Sequence, residues 1–189
     1  MITNTAVSRD LLTVDEYYSL FEAGMFDEDD RVELIEGEII QMTPIGSHHA
    51  GSINRLNKLL SNRLSDRAVI SIQNPLRLSD YSEPEPDILV LKPRVDYYAM
   101  SHPKQYDVLL LIEVADSSIQ YDRYVKVPLY ARHGVPEVWI IDLAQGKIEV
   151  CRTPEKNNYM ECTVYERYHV ISPLAFPDVK FRVDEIVNI

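Results

Sequence analysis

The stretch VLLLIEV, residues 108–114, decides the fold, because it is apolar apart from Glu113. A continuous apolar run of this length is typical of a strand that is covered on both faces at the centre of a sheet. Residues 119–133 then show a helical pattern, and a second apolar run, EVWIIDL, follows at residues 137–143. The order strand, helix, strand predicts a crossover unit, and with it an α/β (α+β) fold in which helices flank a mixed β-sheet.

Two further helical patterns lie before this unit. Residues 47–64 carry apolar side chains at three- and four-residue steps, which predicts an amphipathic helix. Thr13 and Glu16 form a capping-box pattern that starts an earlier helix. Pro128 lacks a backbone donor, so we expect it to kink the helix after the central strand or to delay its start.

Short strand patterns complete the sheet. Residues 31–42 predict two strands joined by a tight turn at Glu36-Gly37, and residues 147–151 and 159–165 predict a second hairpin. Trp139 lies in an apolar strand with no basic residues alternating beside it, so we expect it in the core and not on a base-stacking platform.

Length and composition indicate one globular unit. The chain of 189 residues is 46% hydrophobic, so we expect a single packed domain over residues 1–189. No apolar run approaches the roughly 20 residues that cross a bilayer. Residues 1–10 are polar and lack the apolar core of a signal peptide, which predicts a cytoplasmic protein.

The net charge of -11 opposes one class of function. A protein that binds nucleic acid through a broad basic face carries the opposite sign. A nuclease is still compatible with this charge, because a divalent cation bound by carboxylates reverses the sign of its surroundings.

Two cysteines, Cys151 and Cys162, flank a turn-like segment that places them on neighbouring strands. A cross-strand disulfide is one interpretation. Two small buried thiols are the preferred one for a cytosolic chain, because disulfides are rare in that compartment.

Glu113 and Asp87 are the candidate functional residues. An ionised carboxylate in a buried strand is costly, so Glu113 is expected to have a partner, to lie at an open sheet end or to bind a cation. Asp87 follows SEPEP, whose prolines stiffen the approach to a strand. Two carboxylates on neighbouring strands can converge on one divalent cation, and hard oxygen ligands favour Mg²⁺ or Mn²⁺.

Several segments in order resemble one known family. These are VELIEGEIIQMTP (32–44), SEPEPDILVL (82–91), LLLIEVADSS (109–118) and YDRYVKVPLYARHGVPEVWIID (121–142). They resemble the Uma-type family of restriction endonucleases, formerly a domain of unknown function, over about residues 12–186. The resemblance implies the PD-(D/E)xK nuclease fold, a restriction-endonuclease-like mixed sheet.

The resemblance also implies a catalytic set. The proline-aspartate of the family falls on Asp87 and its strand glutamate on Glu113, and both are expected to bind metal. The parent nuclease pattern has a lysine two residues after that glutamate, where this chain has Ala115. In the Uma-type family the lysine is displaced onto the following helix, and the corresponding residue is Lys126.

Further site residues follow from the same resemblance. Glu33 matches a family glutamate that reaches the metal directly or through water, and Glu36 and Glu38 are neighbours that the pattern does not separate from it. His49 is a candidate proton relay or phosphate contact, or else a cap of its helix. Gln73 either orients a water molecule or is an ordinary strand glutamine. Asp116, where the family has serine, adds a negative charge near the expected metal.

Two functions of different classes remain at this point. The first is a Mg²⁺- or Mn²⁺-dependent endodeoxyribonuclease that hydrolyses DNA, in which Lys126 supports attack on the phosphate. The second is a binding or scaffold module that keeps the fold without useful catalysis. By analogy with two-strand cutting in related folds, a homodimer is expected.

Overall fold

The computed structural model of the protein describes residues 11–27, 29–116 and 118–187. Its longer helices are α1 (Val14–Glu22) and α2 (Ser47–Leu64), and the shorter ones are α3 (Ile119–Tyr121), α4 (Val127–Arg132) and α5 (Val183–Val187). The strands are β1 (Val32–Ile35), β2 (Glu38–Gln41), β3 (Val69–Ile72), β4 (Ile88–Leu91), β5 (Val108–Ala115), β6 (Glu137–Asp142), β7 (Lys147–Glu155), β8 (Asn158–Tyr165), β9 (Val170–Ile171) and β10 (Phe181–Arg182).

Six strands form one mixed sheet in the order β3-β4-β5-β6-β7-β8. The neighbours β5 and β6 are parallel, and every other adjacent pair is antiparallel. The run at 108–114 is therefore an interior strand, as its apolar sequence predicts. The crossover unit is confirmed as well, because parallel neighbours need a connection that returns along the sheet.

Each face of the sheet is covered by a separate core. On one face α2 and α5 pack against Val90, Ile112 and Trp139, and on the other α4 packs against Leu89 and Leu111. Trp139 is fully buried, so its predicted place in the core is confirmed. The alternation along β5 matters for function, because it turns Glu113 towards the α4 face together with Leu111.

The connection between β5 and β6 is helical, with an irregular centre. Residues Asp122–Lys126 form a π-helical turn between α3 and α4, and Pro128 lies in the first turn of α4. Pro128 follows the π-helical turn directly and, lacking an N–H, donates no hydrogen bond back into it. π-Helical turns are rare and recur at functional sites, and this one carries two buried polar residues, Asp122 and Lys126.

The hairpin of β1 and β2 is a separate two-stranded sheet beside the main one. Its turn has positive φ at Glu36 (51°) and Gly37 (78°), which suits a two-residue hairpin turn. A Cβ atom at Gly37 would lie 2.6 Å from the Cβ of Leu11. Glycine is therefore required there both by the backbone conformation and by close packing.

The first helix begins as its sequence predicts. Thr13 caps α1, and the reciprocal hydrogen bonds of the capping box with Glu16 are both present. The apolar segment 76–78 is not a regular strand and makes isolated bridges and loop hydrogen bonds.

The preferred interpretation of the cysteines is wrong. Cys151 and Cys162 are directly paired on β7 and β8 and form a disulfide, with their Cα atoms 4.1 Å apart. Cys151 is buried, whereas Cys162 is exposed. The expectation of two thiols rested on the predicted compartment and not on the strand register, which brings the pair into contact.

No helix among the described residues is both long and apolar enough to cross a membrane. The polar segment 1–10, on which the cytoplasmic prediction rests, lies outside the described residues.

Candidate metal centre

Asp87 and Glu113 lie on the same face of the sheet. The antiparallel register pairs Ile88 with Ile112, so one further step places Asp87 opposite Glu113. Residues directly opposite each other point to the same face. The Asp87 amide donates to Glu113 Oε2 at 3.3 Å, and the Val114 amide donates to Asp87 Oδ2 at 2.9 Å.

Asp87 has two further polar contacts. His49, from the first turn of α2, places Nε2 at 3.0 Å from Asp87 Oδ1, and Gln73 donates to the same oxygen at 3.3 Å. The hydrogen bond to Asp87 raises the pKa of His49 and thereby favours its protonated form. Gly46 is the N-cap of α2, so His49 does not cap its helix.

Lys126 reaches the same place from the π-helical turn. Its Nζ lies 3.2 Å from Glu33 Oε2 and 3.4 Å from Glu113 Oε1. All three side chains are almost fully buried. Burial alone would lower the pKa of Lys126, but the carboxylates of Glu113 and Glu33 outweigh it and raise that pKa.

Glu113 also has a hydrogen-bond partner on helix α4, which packs against the sheet. Tyr130 of α4 donates its hydroxyl hydrogen to Glu113 Oε1 at 2.6 Å. Burial raises the pKa of Glu113, and Lys126 only partly opposes that effect. One ammonium shared between two buried carboxylates thus leaves Glu113 short of positive charge.

The hairpin supplies only one of its three glutamates to the site. Glu33 lines the cavity beside Lys126, and it also accepts the amide hydrogen of Glu85 at 3.1 Å. Glu36 lies in the turn and pairs with Arg132. Glu38 is exposed and is not part of the cavity wall.

Two acidic residues join the site without having been expected there. Asp122 lies four residues before Lys126 and is buried, and burial raises its pKa although Ser118 donates a hydrogen bond to it at 2.6 Å. Burial likewise raises the pKa of Glu85. The signal for Asp122 was its spacing from Lys126, since residues four apart share a helix face.

These groups line one cavity of about 420 Å³. Its wall contains six carboxylates, those of Glu33, Glu85, Asp87, Glu113, Asp116 and Asp122, and the basic side chains of Arg31, His49 and Lys126. Asp116 is half exposed, and its Oδ2 lies 3.8 Å from His48 Nδ1. The cavity therefore combines an excess of acidic groups with an open approach.

The donor chemistry of the cavity fits a hard divalent cation. Asp87 and Glu113 offer carboxylate oxygens on adjacent strands, which Mg²⁺ and Mn²⁺ prefer over nitrogen or sulfur. A bound cation would also neutralise part of the excess negative charge of the buried carboxylates. Asp87 and Glu113 would both hold the ion. Glu33 pairs with Lys126, and it could give up this ion pair to bind the cation.

Among the described residues of the cavity, no three candidate ligand atoms lie within 4.8 Å of one another, as the ligands of one metal ion would. Within the described part of the chain, one group of three candidate ligand atoms lies within 4.8 Å of one another, formed by Glu149, Cys151 and Cys162. Its cysteines are joined in the disulfide and have no thiolate to offer. The prediction that Asp87, Glu113 and Glu33 share one ion therefore stays a prediction.

The mixed sheet flanked by helices defines a restriction-endonuclease-like α+β protein. A family model described as "Uma2: Putative restriction endonuclease" matches residues 14–184. The chain belongs to this family, which confirms the resemblance seen in the sequence.

A solved structure supports the same fold. It is the crystal structure of a putative nuclease belonging to DUF820 from Anabaena variabilis ATCC 29413, which matches with a TM-score of 0.74 and 19% sequence identity. The alignment covers 93% of this chain and 97% of that chain. No curated protein matches the chain at a significant level.

Proposed function

We propose that the protein is a metal-dependent endodeoxyribonuclease whose active site is the carboxylate cavity. Asp87 and Glu113 hold Mg²⁺ or Mn²⁺ in this proposal. The observation that carries it is the unbalanced charge of the cavity, where six carboxylates face Arg31, His49 and Lys126. Membership of a restriction endonuclease family makes DNA the expected substrate.

A bound divalent cation supplies charge neutralisation at a phosphate and lowers the pKa of a water molecule. The chain's own residues have separate tasks. The main chain of Val114 and the side chain of His49 fix the Asp87 carboxylate through its two oxygens. Tyr130 fixes Glu113, so the two candidate ligands are oriented before any ion arrives.

Lys126 contributes positive charge where a phosphoryl group would react. Its ammonium is positioned by Glu33 and Glu113 in the absence of substrate. With a divalent cation held by Asp87 and Glu113, Lys126 would be released in part from Glu113 and would stabilise negative charge on the phosphate. His49 is a proton-transfer group in this proposal, because its imidazole lines the cavity beside Asp87.

Calorimetric titration with Mn²⁺ tests the metal-binding part of the proposal. Wild type should release or take up heat with saturation, and Asp87→Ala should abolish it. Glu36→Ala is the matched control, since Glu36 pairs with Arg132 at the hairpin turn and does not line the cavity.

Cleavage of supercoiled plasmid in Mg²⁺ or Mn²⁺ tests the catalytic part. Lys126→Ala should lower turnover by about a hundredfold to a thousandfold at equal folded concentration, the usual cost of losing one preorganised charge. Lys126→Arg should rescue little, because a planar guanidinium cannot replace a compact ammonium. Wild-type protein that never cuts any nucleic acid would overturn the nuclease proposal.

A scaffold or binding module is the second candidate function. Lys126 already neutralises Glu33 and Glu113 in part, and the described cavity residues form no group of three ligand atoms within 4.8 Å. The net charge of -11 also disfavours broad contact with DNA. Absence of Asp87-dependent heat in the Mn²⁺ titration would select this candidate.

We also propose a homodimer, because cutting both strands of a duplex takes two active sites. Light scattering coupled to size-exclusion chromatography measures the mass directly. A monomer that nevertheless cuts both strands at once would contradict this assembly.

A further inference from the structure

Tyr121 has an unexplained hydroxyl group in the wall of the cavity. Among the buried side-chain nitrogen and oxygen atoms of the described residues, its hydroxyl alone lacks a hydrogen-bond partner. Tyr130, in the same helical connection, donates to Glu113. Burial raises the pKa of Tyr121, with the Glu33 carboxylate adding to the effect, so the phenol keeps its proton and remains a donor.

Arg31 is a second donor without a partner on this wall. No hydrogen bond or ion pair joins its guanidinium to the residues that the structure describes. Its charge does act to lower the pKa of Glu85, which burial raises, and the pKa of His49, which the hydrogen bond to Asp87 raises. Most other arginines are paired with carboxylates, namely Arg63, Arg67, Arg77, Arg94, Arg123, Arg132, Arg152 and Arg182. In a strongly acidic protein, an arginine left free beside a cavity is unusual.

Lys126 cannot take the place of these two donors in the free protein. Its ammonium is committed to Glu33 and Glu113 at 3.2 and 3.4 Å. A negatively charged ligand that enters the cavity therefore meets two donors that no side chain of the described residues occupies, the guanidinium of Arg31 and the phenol of Tyr121. A buried hydroxyl without a partner is normally explained by a ligand or a bound water molecule.

We propose that Arg31 and Tyr121 form a phosphate-binding pair that holds the backbone of a nucleic acid in the cavity. This inference rests on the proposed function and names how its substrate is held. A guanidinium binds two phosphate oxygens at once, and a phenol donates one hydrogen bond to a third. The pair also accounts for how an acidic chain holds a polyanion, because the contact is local and does not need a basic surface.

Fluorescence anisotropy with a short labelled DNA duplex tests the pair. Binding is measured in Ca²⁺, another cation with oxygen ligands, and the duplex is checked afterwards for cuts. Arg31→Gln and Tyr121→Phe should each weaken binding by at least about tenfold, the scale of a lost hydrogen bond to a charged group. Matched controls are Arg167→Gln and Tyr124→Phe, which lie outside the cavity wall and should bind as wild type does.

The melting temperature of Tyr121→Phe separates this role from a structural one. Because the hydroxyl has no partner in the protein, its removal should leave the melting temperature unchanged or raise it. A clear fall in melting temperature would mean that the hydroxyl supports the fold, and it would count against the inference.

The outcomes separate the inference from the proposed nuclease activity. If wild type cuts plasmid and both variants bind the duplex normally, the phosphate-binding pair is overturned while the nuclease stands. If wild type binds the duplex through Arg31 and Tyr121 but never cuts it, the pair is supported and the nuclease is overturned. If wild type binds no duplex, the pair is overturned whatever the Mn²⁺ titration shows.

Discussion

Lys126 is the residue on which the charge balance of the cavity depends. It is 5% exposed, and its ammonium lies between the carboxylates of Glu33 and Glu113, which are each 2% exposed. Removing one partner from a buried ion pair is much more costly than the pair is worth, because the other charge stays behind without compensation. Here two carboxylates would stay behind.

We therefore expect Lys126→Ala to lower the free energy of unfolding by about 3 kcal/mol without metal. Saturating Mn²⁺ should restore part of this loss, because an ion that binds the native state stabilises it. Urea denaturation with and without Mn²⁺ measures both values.

The matched control for this prediction is Lys92→Ala, an exposed lysine outside the cavity. Its free energy of unfolding should change little, with or without Mn²⁺. If Lys126→Ala lowered the free energy of unfolding equally with and without Mn²⁺, the ion would not be compensating the two carboxylates that the ammonium neutralises.

At the scale of elements, Glu137 joins three parts of the fold. It is fully buried at the start of β6 and accepts hydrogen bonds from Trp139 Nε1 at 2.9 Å and from Arg152 Nε of β7 at 2.8 Å. Its second oxygen accepts the amide hydrogen of Leu174 from the segment after β9. One carboxylate thus fixes the core tryptophan, the neighbouring strand and a surface loop.

We predict that Glu137→Ala lowers the free energy of unfolding by about 3–5 kcal/mol, because it removes the carboxylate partner of Arg152 and leaves the N–H groups of Trp139 and Leu174 without acceptors. Thermal denaturation followed by circular dichroism measures the change. Glu161→Ala, on the exposed side of β8, is the control and should cost little. A small effect at Glu137 would show that water replaces the lost acceptor.

The disulfide between β7 and β8 gives a second prediction for elements. Cys151 and Cys162 are separated by 11 residues in sequence, so their bond closes a short loop. Reduction should lower the free energy of unfolding by about 2–3 kcal/mol on the chain-entropy estimate. Urea denaturation with and without a thiol reductant measures it, and the protein has only these two cysteines to react.

Cys162→Ser supplies the control for that experiment. The variant should have the stability of the reduced wild type and should not respond to reductant. A response of the variant would trace the effect to something other than the disulfide.

Elements with a strong local pattern were predictable from sequence. Helix α2 has regularly spaced apolar residues, and β5 is a continuous apolar run, so both appear within a residue of their expected bounds. Glu113 stood out because a carboxylate in an apolar strand contradicts its surroundings, and Asp87 because prolines precede the start of its strand and because the family motif falls on it.

The remaining site residues depend on packing between distant segments. Tyr121 and Tyr130 look like ordinary helix residues in the sequence, and only the folded structure shows that Tyr130 donates to Glu113. Arg31 stands out only once the partners of the other arginines are known. The disulfide was misjudged because the expected compartment was given more weight than the register of the hairpin.

On the scale of the whole molecule, positive charge is sparse and mostly neutralised. The net charge is -11, and ion pairs with carboxylates occupy most of the arginines of the described residues. On the proposed function, affinity for DNA would come from a few local contacts and not from the overall field.

This distribution predicts a weak dependence of DNA binding on salt. Each neutralised phosphate adds about -0.9 to the slope of the logarithm of the binding constant against the logarithm of the salt concentration. Contacts limited to Arg31 and one or two other groups therefore give a slope of about -2. Anisotropy titrations between about 50 and 200 mM salt measure this slope. A much steeper slope would show that further basic groups contact the phosphates, and it would count against binding through a few local contacts.

The antiparallel register of β4 and β5 also sets where the chain tolerates a change of length. One residue inserted between Asp87 and Ile88 would turn the Asp87 carboxylate away from Glu113, because successive residues of a strand point to opposite faces. The loop from 93 to 104 joins the same two strands, and its exposed Val95 and Met100 show that it lies on the surface. An epitope tag or a fluorophore-labelling sequence therefore belongs in that loop, where it would leave the spacing of the two carboxylates intact.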